Sequence, residues 1–213
     1  MPLKVISTVI LSLLLTGYSG WSQKHPQFRY VSFDAGLNMS GIRSAHEYQK
    51  NPGCFGVRAG MSGNYSFSDA RSVGFSLLFN QKGAREHIPQ IKTNLNYLSL
   101  PVFYLYKTGR DPGFFFLGGA YGSYLLNAGR RGELSTGEQQ SKIRETVTSE
   151  FKSYDYGVIL GLGMMIRLYD DFDFKVAIQG SAGLPVIKNM EGSNPRNYNI
   201  NLSLGYIYYL GFR

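Results

Sequence analysis

The chain alternates. From Phe55 the odd positions read Phe55, Val57, Ala59, Met61, Gly63, Tyr65 and Phe67, and the even ones Gly56, Arg58, Gly60, Ser62, Asn64 and Ser66. The same period of two returns at 31–38, 72–80, 154–167, 172–179 and 199–212. One face of each run is greasy and the other small or polar, which predicts β-strands that present an apolar surface on one side only. Two further runs, 97–106 and 114–126, carry apolar residues in both phases, and Pro101 sits inside the first. Their length and flanks still read as strands, although a proline normally argues against a central strand.

Strand length separates the architectures that alternation alone permits. Several runs exceed ten residues, whereas strands of soluble proteins usually have about five or six and a tilted membrane strand needs about nine to eleven. The connections agree. In order, 39–52 is long, 68–71 short, 83–93 long, 107–112 short, 128–150 longest, 169–170 tight and 185–197 long. Long and short alternate without a break, as they do in outer-membrane barrels, whose periplasmic turns are short and whose extracellular loops are long. An even strand count then leaves both ends of the barrel in the periplasm. The expected fold is therefore all-β: an eight-stranded antiparallel up-and-down transmembrane β-barrel spanning 23–213, preceded by a cleavable signal peptide.

The signal peptide is read from 1–22. Lys4 precedes an apolar stretch from Val5 to Leu15, within the range of a secretory h-region and well short of the twenty or so residues that span a bilayer. Gly20 and Ser22 are small residues at −3 and −1 for cleavage before Gln23. Composition changes the picture only slightly. Charged residues make up 17% of the chain and aromatics 15%, with 16 Tyr and 26 Gly; a typical soluble domain has about 25% charged residues. The net charge is +8, but the basic residues are scattered, so nucleic acid is not an expected partner. The single cysteine, Cys54, cannot form an internal disulfide.

Candidate chemistry is sparse. The polar phases place Asp34, Arg58, Lys82, Asp155, Arg167, Asp173 and Lys175 inside the barrel. These charges suit either a narrow pore for small solutes or an interior salt-bridge plug, and eight strands leave room only for packed side chains, which favours the plug. The connection 128–150 carries Arg130, Arg131, Lys142 and Arg144 against Glu133, Glu138, Glu145 and Glu150. It is the first candidate for a contact surface, toward a protein partner or lipopolysaccharide phosphates. His46 with Glu47, and His87 with Glu86, offer a base and an acid for a lipid-modifying rim enzyme, yet no serine stands out as their partner. No metal or cofactor site is expected: two ligands at His46–Glu47 are not three or four. Gly161-Leu162-Gly163 lies within a strand with no helix after it, so it is not a nucleotide loop.

The motifs Leu78-Phe79-Asn80-Gln81-Lys82-Gly83, Tyr97-Leu98-Ser99-Leu100-Pro101-Val102, Gly118-Gly119-Ala120-Tyr121-Gly122-Ser123-Tyr124-Leu125-Leu126 and Asp155-Tyr156-Gly157, with the closing run 199–206, follow one another in this order. In this the chain resembles the small outer-membrane β-barrel domains common in Bacteroidota, a "porin family" group that includes PorT-like proteins. The resemblance implies the fold and an outer-membrane location. It implies tolerance of Pro101 and no single activity, one branch assisting protein secretion. The chain departs from the family at Ser99, where many relatives carry an acidic residue. Tyr206, Tyr208, Leu210 and Phe212 resemble the C-terminal signal read by the barrel-assembly machinery, with Arg213 following where an aromatic usually ends the chain. The expected role is structural or interaction-based and non-catalytic: a scaffold, an adhesin or a secretion-accessory subunit within outer-membrane lipid and lipopolysaccharide.

Overall fold

The computed structural model describes residues 27–43, 53–85, 90–109, 111–136, 139–185, 187 and 196–210. The segment 1–22, the three histidines and Phe212 lie outside the described residues. The strands are β1 (Gln27–Arg43), β2 (Cys54–Ser66), β3 (Arg71–Arg85), β4 (Gln90–Thr108), β5 (Gly113–Thr136), β6 (Gln139–Thr146), β7 (Tyr154–Tyr169), β8 (Phe172–Gly183) and β9 (Arg196–Tyr209). Every pairing is antiparallel. The sheet runs β4-β3-β2-β1-β9-β8-β7-β5-β6, and a further β4–β5 pairing closes it. Eight strands therefore form a closed ring, which removes the sheet edges that a bilayer could not satisfy with hydrogen bonds. β6 stands outside the ring and pairs with β5 alone.

The region 128–150, expected as one long connection, is mostly strand. β7 pairs with β5 only as far as Tyr124, so the edge of β5 beyond that point is free. β6 takes it, running from Gly129↔Thr146 to Thr136↔Gln139. The result is a hairpin that rises past the ring at the end of the long connections (the loop end). The short connections and the two ends of the barrel sit at the opposite, turn end.

Pro101 fits because the β3–β4 ladder is interrupted there. Phe75 pairs with Val102 and Leu78 with Ser99, with no pairs between, while β4–β5 pairing continues through Pro101↔Tyr121. A residue without an N–H is tolerated where one neighbour does not ask for it.

Outside, large apolar side chains remain uncovered by protein from end to end, among them Phe33, Leu37, Leu100, Phe116, Leu160, Leu204 and Ile200. Aromatic pairs mark two belts. Phe28–Phe75 and Phe172–Tyr206 stack at the turn end, with centroids 6.1 and 5.1 Å apart, and Tyr124–Tyr154 meet edge-on at the loop end, 5.4 Å apart. Aromatic girdles around an aliphatic band are the form of a barrel wall facing lipid.

Inside, the wall has two characters. β9, β1, β2 and β3 point mostly polar residues inward: Asn197, Asn199, Asn201, Ser203, Ser32, Asp34, Asn38, Ser40, Arg58, Ser62, Asn64, Ser72, Ser76 and Asn80 are all buried. β4, β5 and β7 point in Leu95, Tyr97, Phe103, Leu105, Phe115, Leu117, Tyr121, Leu125, Ile159 and Met165. This is why 97–106 and 114–126 are apolar in both phases: one phase meets lipid and the other fills the lumen. Bulk from one wall enters space left by glycine on the other. A Cβ on Gly74 of β3 would collide with the ring of Phe103 of β4.

The lumen and the loop-end hairpin as candidate functional sites

The period-two register delivers charged side chains into the lumen from strands far apart in sequence, where they meet in three groups. In the first, Lys175 on β8 approaches Asp34 on β1 at 2.6 Å. The other oxygen of Asp34 accepts from Ser62 at 2.7 Å and Ser32 at 3.1 Å, and Ser76 donates to Ser62 at 2.8 Å. Gly205 makes room, since a Cβ there would strike the Asp34 carboxylate. In the second, Arg58 reaches across from β2 and donates to Gln179 and Asn201, both at 2.7 Å. In the third, Lys82 on β3 pairs with Asp155 on β7 at 2.8 Å and lies over the rings of Tyr97 and Tyr121, 5.1 and 4.7 Å from their centroids. Asn197 donates to Asp155 at 3.0 Å, and Tyr121 donates to it at 3.3 Å.

Asp173 is buried and accepts from Tyr209 at 2.7 Å. Arg58, Lys82 and Lys175 thus stand against Asp34, Asp155 and Asp173, three cations to three carboxylates. Charges buried in this way hold only with partners and hydrogen bonds. At the Ser99 level the lumen holds a hydroxyl pair, Ser99–Ser123 at 2.7 Å.

Arg167 does not join this interior. Its side chain is exposed in the turn-end mouth, a cavity of about 300 Å³ also lined by Arg29, Asp69, Arg71 and Lys107. The inward phase of β7 runs on to the open rim there, so the right phase no longer means burial. Beneath the mouth, Tyr30, Phe103, Leu105, Phe115, Leu117, Met165, Ile207 and Tyr209 close the lumen as one apolar cluster. At the loop end Leu95, Tyr97, Leu125, Ala128, Val147 and Ile187 form a second. Val147 and Ile187 come from connections folded inward, held by Val147 N–H to the Ala128 carbonyl at 2.9 Å and Lys152 N–H to the Ile187 carbonyl at 2.8 Å. Between the two clusters, the cavity beside Arg58, Lys82 and Tyr121 is only about 20 Å³, room for roughly one water molecule.

The basic residues of 128–150 divide between the hairpin strands, Arg130 and Arg131 on β5, Lys142 and Arg144 on β6. Arg130 faces Glu145 in register and pairs with Glu150 at 3.1 Å. Arg131 faces Arg144, and Lys142 faces Glu133. Tyr206 and Tyr208 lie exposed on the outer face of β9, stacked or tilted against Phe172, and Leu210 follows the strand, exposed. Among the described residues no three metal-ligating side chains converge.

Sequence reasoning missed the supporting cast: Tyr97, Tyr121, Gln179, Asn197 and Asn201. The inward phase of Gln179 and Asn201 was readable but not which charge each would meet, whereas Tyr97 and Tyr121 lie in runs apolar in both phases and Asn197 in a stretch read as a connection. It also missed Lys92, which falls in a stretch read as a connection and lies on β4.

The family described as "Outer membrane protein beta-barrel domain" matches residues 21–189. Among solved structures, the chain is similar to Ail, the attachment invasion locus protein of Yersinia pestis, at 15% identity over 85% of this chain and 100% of that one, with a TM-score of 0.44. Neisserial surface protein A is 15% identical over 87% and 99%, with a TM-score of 0.49. OprG from Pseudomonas aeruginosa is 13% identical over 88% and 98%, with a TM-score of 0.48. No curated protein matches the chain.

Proposed function

The chain belongs to the outer membrane protein β-barrel domain family, and from that premise we propose that it is a plugged outer-membrane barrel whose role is structural or interaction-based, exercised by its loop end and without catalysis. Its kind is that of the small PorT-like barrels: a surface scaffold, adhesin or secretion-accessory subunit. It is exported by a signal peptide cleaved near Ser22 and assembled through Tyr206, Tyr208, Leu210 and Phe212. The single observation that carries the reading is the filled lumen, in which buried charges pair among two apolar clusters. A lumen built this way stiffens the wall and conducts nothing, which leaves the β5–β6 hairpin as the surface free to engage a partner.

Conductance tests the reading directly. In planar bilayers the folded protein is expected to be electrically silent. Single-channel steps that change when Arg58 is neutralised would replace it with a narrow pore. Lipid A from cells expressing the protein is expected to be unaltered; an alteration abolished by His46→Ala or His87→Ala would make it a rim enzyme. Gly129 and Thr146 face each other in register, so a short turn joining them removes 130–145 without opening the ring. That deletion is expected to keep heat-modifiable migration and lose the cross-linked partner; an unchanged cross-linking profile counts against the hairpin.

A further inference from the structure

The outer face of the loop end carries an arrangement that the connection's overall charge balance hides. Lys92 pairs with Arg131, and Arg131 with Arg144. Residues directly opposite on neighbouring strands share a face. Three basic residues therefore stand side by side across β4, β5 and β6. At about 4.8 Å between strands the row is roughly 10 Å long. The adjacent inward phase holds buried Thr93, Leu95 and Ala128, so the row faces outward, and Arg131 and Arg144 are exposed.

Like charges directly opposite one another are destabilising. On the other face of the same hairpin this is avoided, because Arg130 has Glu145 opposite and Glu150 at 3.1 Å. Among the described residues no ion pair involves Lys92, Arg131 or Arg144. Among the described residues the row is thus a concentrated positive line with no carboxylate paired to it.

Its height indicates what can neutralise it. Leu98 pairs with Tyr124 of the loop-end aromatic belt, and Lys92 lies six residues further along β4. At about 3.4 Å per residue and a tilt of about 40°, this puts the row roughly 15 Å above the belt. Aromatic belts lie at the membrane interface. The row is then level with the phosphate- and carboxylate-bearing inner saccharides of an outer-leaflet glycolipid, and guanidinium groups bind such oxyanions in bidentate fashion. We propose that Lys92, Arg131 and Arg144 bind the phosphorylated core of lipopolysaccharide along the outside of the barrel. This rests on the reading above that the loop end faces the cell surface.

The test uses the full-length folded protein in detergent and fluorescent rough lipopolysaccharide as probe. The triple variant Lys92→Gln, Arg131→Gln, Arg144→Gln is expected to bind at least tenfold more weakly, and enzymatically dephosphorylated lipopolysaccharide is expected to bind the unaltered protein at least tenfold more weakly. Arg130→Gln is expected to stay within twofold. The triple variant should unfold no more easily than the parent, because it relieves repulsion; a purely structural row predicts the opposite. Triple-variant binding within twofold of the parent overturns the proposal, as does equal binding to phosphatidylglycerol vesicles or a preference for heparin over lipopolysaccharide. Sidedness is checked separately with Ser149→Cys and a membrane-impermeant maleimide on intact cells. Absence of labelling there rejects the orientation and with it this site, whereas labelling with failed binding rejects the site alone.

Discussion

The two halves of the barrel wall solve the same problem differently. Seen from the lumen, β9, β1, β2 and β3 are lined mostly with serine, asparagine and charge, while β4, β5 and β7 are lined mostly with leucine, phenylalanine and tyrosine. The apolar wall fills space by volume and needs no partner of a particular kind. The polar wall is satisfied only by named partners, several of them on strands that are not its sheet neighbours: Lys82 with Asp155, and Arg58 with Gln179 and Asn201. The lesson is that a narrow barrel can be closed by bulk from one side and by complementarity from the other. The two modes should fail in distinguishable ways when altered.

The largest effect is expected at Lys82→Met, which leaves Asp155 buried without its cation. Loss of about 3–5 kcal/mol is anticipated, measured by urea unfolding in lipid vesicles. The double variant Lys82→Met, Asp155→Asn should recover most of it, and failure to recover would erase the distinction between the walls. Next is Leu105→Ala on the apolar wall, at about 2–5 kcal/mol for a buried leucine truncated to leave a cavity. Here no second change in charge should help, and rescue by one would show that the apolar wall also depends on specific pairing. Gly74→Ala tests the seam between them, because its Cβ would collide with Phe103. About 1–3 kcal/mol is expected, relieved when Phe103→Leu is combined with it. The smallest effect belongs to Tyr97→Phe, which removes the hydroxyl that accepts from Asn197 but keeps the ring over Lys82. About 1 kcal/mol is expected, and a much larger loss would mean that the apolar wall's tyrosines act chiefly through their polar ends.

Much of this fold was legible because alternation is a local property. The runs at 55–67, 154–167 and 199–208 show their faces residue by residue, and the structure has strands there with the apolar phase outward. The mixed runs at 97–106 and 114–126 concealed the apolar wall, since a strand with lipid on one side and a packed lumen on the other has no polar phase to read. The hairpin was concealed for another reason: whether 128–136 forms a loop or a strand depends on an edge of β5 that β7 leaves open, a fact about a neighbour rather than about the segment. Arg167 had the inward phase but lies where the ring opens, and phase does not measure depth.

The sequence by itself therefore determined the closed antiparallel barrel, its strand count in the ring and which phase meets lipid, because these follow from period two, strand length and the rhythm of short and long connections. Only the tertiary structure decided which charges meet. Lys82 and Asp155 are 73 positions apart, and Arg58 and Asn201 143. Both contacts are made through the lumen, where the stagger of the closed ring sets the height of each side chain. The same applies outside, where Lys92, Arg131 and Arg144 become one row only through the register of three strands. Alternation fixes the face of each residue, but its neighbour across the sheet is set by closure, and closure is a property of the whole ring.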